Sequence, residues 1–135
     1  MKEYNEYNDR LVGFDVAVKA DISGFKAYNP ECFTCSKDKK LFFDNWTGVI
    51  PDDQMFLCYR PTQTALQKWI REKHNIEVYC EPWFYENIST EYFVRVDKFD
   101  KRKKAIAGTL VEKTYENGLE MGLEIALNYI IKLSK

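Results

Sequence analysis

Four cysteines, a single histidine and an evenly spaced file of glutamates are the residues of this 135-residue chain best suited to chemistry. Cys32 and Cys35 form a C-x-x-C pair, and Cys58 and Cys80 complete the number of ligands that a closed zinc site requires. Their spacing argues against that use. Cys58 and Cys80 are widely separated and neither sits in a Gly-rich knuckle. Cys32 and Cys35 fall on a stretch that reads as strand, where residues i and i+3 point to opposite faces. No helix follows the pair to lower a thiol pKa, as thioredoxin-like chemistry needs. The expectation is therefore that the cysteines are small apolar residues, buried or half-buried, and that no metal is bound.

His74 is the only imidazole, so any Cys-His or Ser-His pairing must use it. It ends the stretch PTQTALQKWIREKH, where a histidine in the last turn of a helix ordinarily serves the carbonyl end of the dipole. No G-x-S-x-G, phosphate-gripping glycine loop, H-E-x-x-H or dinucleotide fingerprint occurs. Glu112, Glu116, Glu120 and Glu124 recur every four residues, but a carboxylate-bridged dimetal site would add Glu-x-x-His pairs, and the chain has none. We expect this row to be a solvated face with mild like-charge repulsion. The chain is accordingly expected to be no enzyme and to need no cofactor.

Binding chemistry is better represented. Lys98, Lys101, Arg102, Lys103 and Lys104 form a basic run, and Lys68, Arg71 and Lys73 add cations from the preceding helix. Together they could line a phosphate-binding surface, with neighbouring rings to stack bases. The net charge of -1 confines any such site to one locality. The competing reading is a charged loop that keeps a sheet edge soluble. Aromatic residues make up 16% of the chain, and the segment EPWFYENISTEYF carries rings on both faces of a hairpin. Some must be exposed on any strand assignment. Trp83, Phe84, Tyr85, Tyr92 and Phe93 are therefore the expected protein-binding residues, the partner being another protein or a second copy of the chain.

The elements that must position these residues follow from hydrophobic period. Residues 14 to 25 read as a short helix with Phe14, Val18 and Ile22 on one face and Gly24 as a left-handed stop. ECFTCSKDKKLFFDNW reads as two strands around a turn at Ser36 to Lys40, and residues 54 to 60 alternate as a third strand. Pro61 ends that strand, Thr62 caps a helix to His74, and Ala65, Leu66, Trp69 and Ile70 form its apolar stripe, with Trp69 the anchor. Asn75 takes the left-handed stop. IEVYCEPW and EYFVRVDKF follow as antiparallel strands. The basic run then separates them from a final helix, about 114 to 133, capped by Thr114. Its stripe is Leu119, Leu123, Ala126, Leu127 and Ile130, with Ile131 and Leu133 near the end, and Gly118 and Gly122 allow close approach to a sheet.

These readings give an α+β fold: one antiparallel sheet of four or five strands, with helices 62–74 and 114–133 packed on it, in a single domain over residues 1–135. The polar N-terminal stretch has no apolar signal segment and no run is long enough to span a bilayer, so a cytoplasmic protein is expected.

Two segments carry a resemblance. Pro61, Thr62, Gln63, Leu66, Gln67, Trp69, Arg71, Glu72 and His74 fill one motif, and Tyr115, Glu116, Leu119, Glu120, Gly122, Leu123, Ala126 and Leu127 another. On these the chain resembles a family of small proteins encoded by prophages and mobile elements of gut Bacteroidetes and their phages. Asn117 and Gly118 stand where that family more often has Glu-Ala, which removes a capping-box carboxylate and predicts a fraying start to the last helix. The resemblance implies a phage-related α+β protein and no particular activity. The expected function is protein binding or self-association in a mobile-element accessory protein, the alternative being nucleic-acid binding by the basic segment.

Overall fold

The computed structural model describes residues 10–26, 31–45, 52–83, 91–100 and 103–134. In chain order the elements are α1 (Phe14–Ile22), β1 (Glu31–Ser36), β2 (Leu41–Asn45), β3 (Gln54–Tyr59), α2 (Gln63–His74), β4 (Ile76–Trp83), β5 (Glu91–Phe99), β6 (Lys103–Glu112) and α3 (Tyr115–Leu133). The fold is α+β, with antiparallel strands divided between two sheets of order β2-β1-β3 and β4-β5-β6. The expected single sheet of four or five strands is thus corrected. Helix α2 stands between β3 and β4 in the chain, and among the described residues no ladder joins the two sets. The extra strand is β6. It opens on two lysines and contains two alanines and a glycine, residues of low strand propensity, so its period is weak. Its pairing with β5 shifts register twice, between Val94 and Val96 and again between Val96 and Asp97. Charges and bulges of this kind belong to an edge strand.

Capping sets the helix ends as the residues require. Thr62 accepts from the Ala65 amide at 3.2 Å and Thr114 from the Asn117 amide at 3.1 Å, each satisfying an orphan donor of the first turn. Thr114 therefore closes the start of α3 without the capping-box glutamate. Asn75 adopts the left-handed conformation at φ 56°, and Gly24 does so at φ 98° after α1.

Burial corrects two of the stripes. In α1 the buried face is Val16, Ala17 and Ala20, and Ile22 is 64% exposed. In α2 it is Gln63, Leu66 and Ile70, with Ala65 exposed and Trp69 half-buried in edge contact with Phe25 at 5.3 Å. The α3 stripe is buried as read from Gly118 to Ile130, but at its end Ile131 is half-buried and Leu133 is 62% exposed.

Helix α3 lies directly on β4 and β5. A Cβ built on Gly122 would fall 2.5 Å from Val78 Cγ1 and 2.9 Å from Val94 Cγ1, and one on Gly118 would meet Cys80 Sγ at 2.8 Å. The helix backbone approaches so closely because these positions have no side chain. Val78 and Val94 are at most 1% exposed and belong to the inward face of the sheet with Ile76 and Val96.

The glutamate row is not a merely solvated face. Glu120 Oε2 accepts from the amide of Gly13, the N-cap of α1, at 2.7 Å, and its Oε1 accepts from Gln63 Nε2 at 2.9 Å. Glu124 pairs with Lys19 of α1 at 2.6 Å. Gln63, 2% exposed, also donates to the Glu116 carbonyl at 2.9 Å. Residues 10 to 12 run beside 61 to 63, with Val12 N donating to Pro61 O at 2.9 Å and Gln63 N to Arg10 O at 2.8 Å. The Pro-Thr-Gln motif thus has a structural account: Pro61 offers a carbonyl and needs no acceptor for an N–H, Thr62 caps, and Gln63 ties α2 to α3.

The glycine contact makes a direct prediction. Gly122→Ala should gain about 1 kcal/mol of helix propensity and lose more to overpacking against stiff valines, for a net destabilisation of about 1–2 kcal/mol in urea melts. Val78→Ala in the same chain should cost less there than in the native chain. Additive costs would show that α3 does not rest on Val78.

Candidate functional site

Among the described residues, those predicted from the sequence do not converge. Cys35 and Cys58 lie in the first sheet and Cys80 in the second, where its thiol donates to the Tyr115 carbonyl at 3.4 Å. Burial, with Glu116 and Glu81 nearby, pushes the Cys80 thiol up to about 11, so it stays protonated at neutral pH and is a poor nucleophile. The side chain of Cys32 lies outside the described residues. Among the described residues no three of His, Cys, Asp or Glu gather in a metal-binding arrangement.

Several of the predicted cations already have intramolecular partners. Lys103 reaches Asp97, a carboxylate 1% exposed, at 3.4 Å, and Arg95 bonds the same oxygen at 3.0 Å. Arg71 pairs with Glu77 at 3.2 Å, and Lys98 donates to the His74 carbonyl at 3.0 Å. Lys101 and Arg102 lie outside the described residues. Lys68 and Lys104 are exposed. The expected basic loop therefore resolves in part into strand β6, with one of its lysines on a buried carboxylate.

Of the expected partner-binding rings, Phe84 and Tyr85 lie outside the described residues, as does the side chain of Trp83. Tyr92 and Phe93 are half-buried, and Tyr92 meets Tyr115 edge-on at 6.0 Å. Among the described residues a stronger apolar surface lies on β3. Met55, Phe56 and Leu57 are 56%, 37% and 37% exposed, three consecutive large apolar side chains on an edge strand. A register shift explains the run. Phe33 pairs with Cys58 and Thr34 with Phe56, so Leu57 is the extra residue of a bulge and has no partner on β1. This interrupts the in-out alternation that would otherwise bury every second residue. Leu41, on the opposite edge strand of the sheet, is 43% exposed. Charges bracket the β3 row, with Asp52 and Asp53 exposed before it and Arg60 after it. Arg60 donates to Val12 O at 3.0 Å and lies over the Phe33 ring at 5.2 Å, which holds the guanidinium at the strand end. A pattern-based search for alternating strands passes over this surface, because its signal is a failure of alternation.

His74 is half-buried at the end of α2, and its Nε2 is enclosed with no hydrogen-bond partner among the described residues. Its ring meets Trp69 edge-on at 5.1 Å. Burial first, then Lys98 and Lys73, lowers its pKa below the usual 6.5, keeping the ring neutral at physiological pH.

Comparison of the chain with protein-family models, curated proteins and solved structures gives no match. Among the described residues no helix is long and apolar enough to cross a membrane.

The histidine predicts the sign of one pH dependence. Because the folded pKa lies below the unfolded one, His74 costs the fold nothing above about 6.5, and stability falls as pH drops from there toward the folded pKa. The urea midpoint should decline between pH 7.5 and 5.5 in the native chain, and less steeply in His74→Gln. Equal slopes would show that the imidazole is not desolvated.

Proposed function

We propose that the protein is a non-enzymatic accessory protein of a prophage or mobile element that acts through protein contact, its first partner being a second copy of itself. The observation that carries this reading is the exposed row Met55, Phe56 and Leu57 on β3. Apolar side chains so placed favour contact with another surface, at about 25 cal/mol per Å² removed from water. Charge selects a self-complementary partner. When two β3 strands lie antiparallel about a two-fold axis at Phe56, Met55 of one copy faces Leu57 of the other, and Asp52 comes opposite Arg60, whose guanidinium would serve it in addition to Val12 O. The same patch then serves both copies, as an isologous dimer requires. The bulge at Leu57 disfavours a continuous backbone ladder, so side-chain packing supplies most of the contact. The phage-related origin rests on the resemblance of the Pro61–His74 and Tyr115–Leu127 segments.

Nucleic-acid binding ranks second, because Lys103 and Arg71 are committed to carboxylates and strong phosphate recognition draws on several cations at once.

Sedimentation equilibrium tests the leading reading. The native chain should show a concentration-dependent dimer, and Met55→Lys with Leu57→Lys should give a monomer whose melting curve matches the native monomer, since both residues are exposed. A native chain that stays monomeric at high concentration would refute self-association. So would a dimer indifferent to both lysines.

A further inference from the structure

The C-terminal ends of α1, α2 and α3 meet the start of β4 and the end of β5 around a half-open cleft of about 340 Å³. That volume is in the range of small-molecule sites. Its lining is mainly apolar: Ile76 and Ile130 are 1% and 7% exposed, and Ile22 and Leu133 are 64% and 62% exposed. Two large aliphatic side chains, on different helices, thus stand largely in water beside a hollow lined by buried ones. Tyr129 contributes a ring to the same lining.

The polar groups of the cleft are asymmetric in what they still offer. Helix C-termini present orphan carbonyls, but here these are served from within. Ser23 Oγ donates to Lys19 O at 2.8 Å, Ser134 Oγ to Ile131 O at 3.0 Å, and Lys98 Nζ to His74 O at 3.0 Å. The serine protons are therefore spent on the helices. Lys98 is different, because an ammonium has three donors, and its described partners are the His74 carbonyl and Asp100 at 3.6 Å. The cleft thus pairs an apolar wall with a cation that has donor capacity left. His74, also in the lining, adds a neutral ring whose enclosed Nε2 has no partner among the described residues.

We infer that this cleft binds a monocarboxylate with an apolar body, of the medium-chain acyl or aryl acid class, its carboxylate on Lys98 and its body against Ile22, Ile76, Ile130 and Leu133. An amine would meet Lys98 as a like charge, and a neutral alcohol would gain the wall without the ion pair. The site is separate from the β3 surface and does not depend on it.

Amide chemical shifts under titration with octanoate, octan-1-ol or octylamine, the ionic ligands below their micelle concentrations and the alcohol below its solubility limit, test the assignment. Octanoate should give saturable shifts at Ser23, Asn75, Phe99 and Ser134, octanol weaker ones and octylamine none. Lys98→Met should weaken octanoate by about tenfold, the worth of one charge-assisted hydrogen bond, and leave octanol unchanged. Because Lys98 also holds the His74 carbonyl, a second arm uses Ile22→Glu and Leu133→Glu, exposed positions whose substitution should leave the remaining spectrum intact and abolish the octanoate shifts. The inference is overturned by absence of saturation, by octanol or octylamine equalling octanoate, or by full octanoate binding in both glutamate variants.

Discussion

The contact between the glycine face of α3 and the valines of β4 and β5 is the constraint on which the other elements depend. With Gly118 and Gly122 against the sheet, the α3 backbone comes within side-chain distance of Val78 and Val94. That proximity seals the inward face of the second sheet. It also fixes the rotation of α3, because turning the helix would drive a side chain into the valines where only hydrogen fits. Once the rotation is set, Leu119, Leu123 and Leu127 are committed to the core, and Glu120 and Glu124 reach α1.

From that rotation the two ends of the helical layer acquire different characters. At one end, the Glu120 carboxylate accepts from the α1 N-cap amide and from Gln63, where a negative charge is favoured by the positive end of a helix dipole. At the other, helix carbonyls are turned inward to serines and Lys98, and aliphatic residues surround a hollow. These hydrogen bonds at the first end hold α1 and α2 in place. The second combines spare donor capacity with exposed apolar surface, properties suited to a ligand rather than to further internal packing. The first sheet reaches the core through Phe33, which is fully buried and meets Phe14 of α1 edge-on at 5.1 Å. Its β3 edge stays at the surface.

Much of this is legible in the sequence where a local rule decides. Thr62, Thr114, Asn75 and Gly24 mark helix ends because caps and left-handed stops are properties of one or two residues. The α3 stripe is legible because nineteen residues sample the helical period many times. Its glycine pair is legible because nothing else explains two poor helix formers on a buried stripe. What escapes is decided by tertiary partners. Strand β6 has weak propensity and is held by pairing with β5. Glu120 looks solvated until α1 and α2 are placed against it. The exposed row on β3 arises from a register shift that depends on β1, and the cleft from three helix ends far apart in the chain.

Disulfide trapping at the centre of the proposed two-fold contact is the most direct measurement of how the β3 surface is used. With Phe56→Cys the two thiols of an antiparallel pair meet at the axis, so mild oxidation should convert most of the chain to a covalent dimer. The native chain and Lys104→Cys should remain uncrosslinked under the same conditions. Failure of Phe56→Cys to crosslink, or equal crosslinking of Lys104→Cys, would contradict a partner seated on β3.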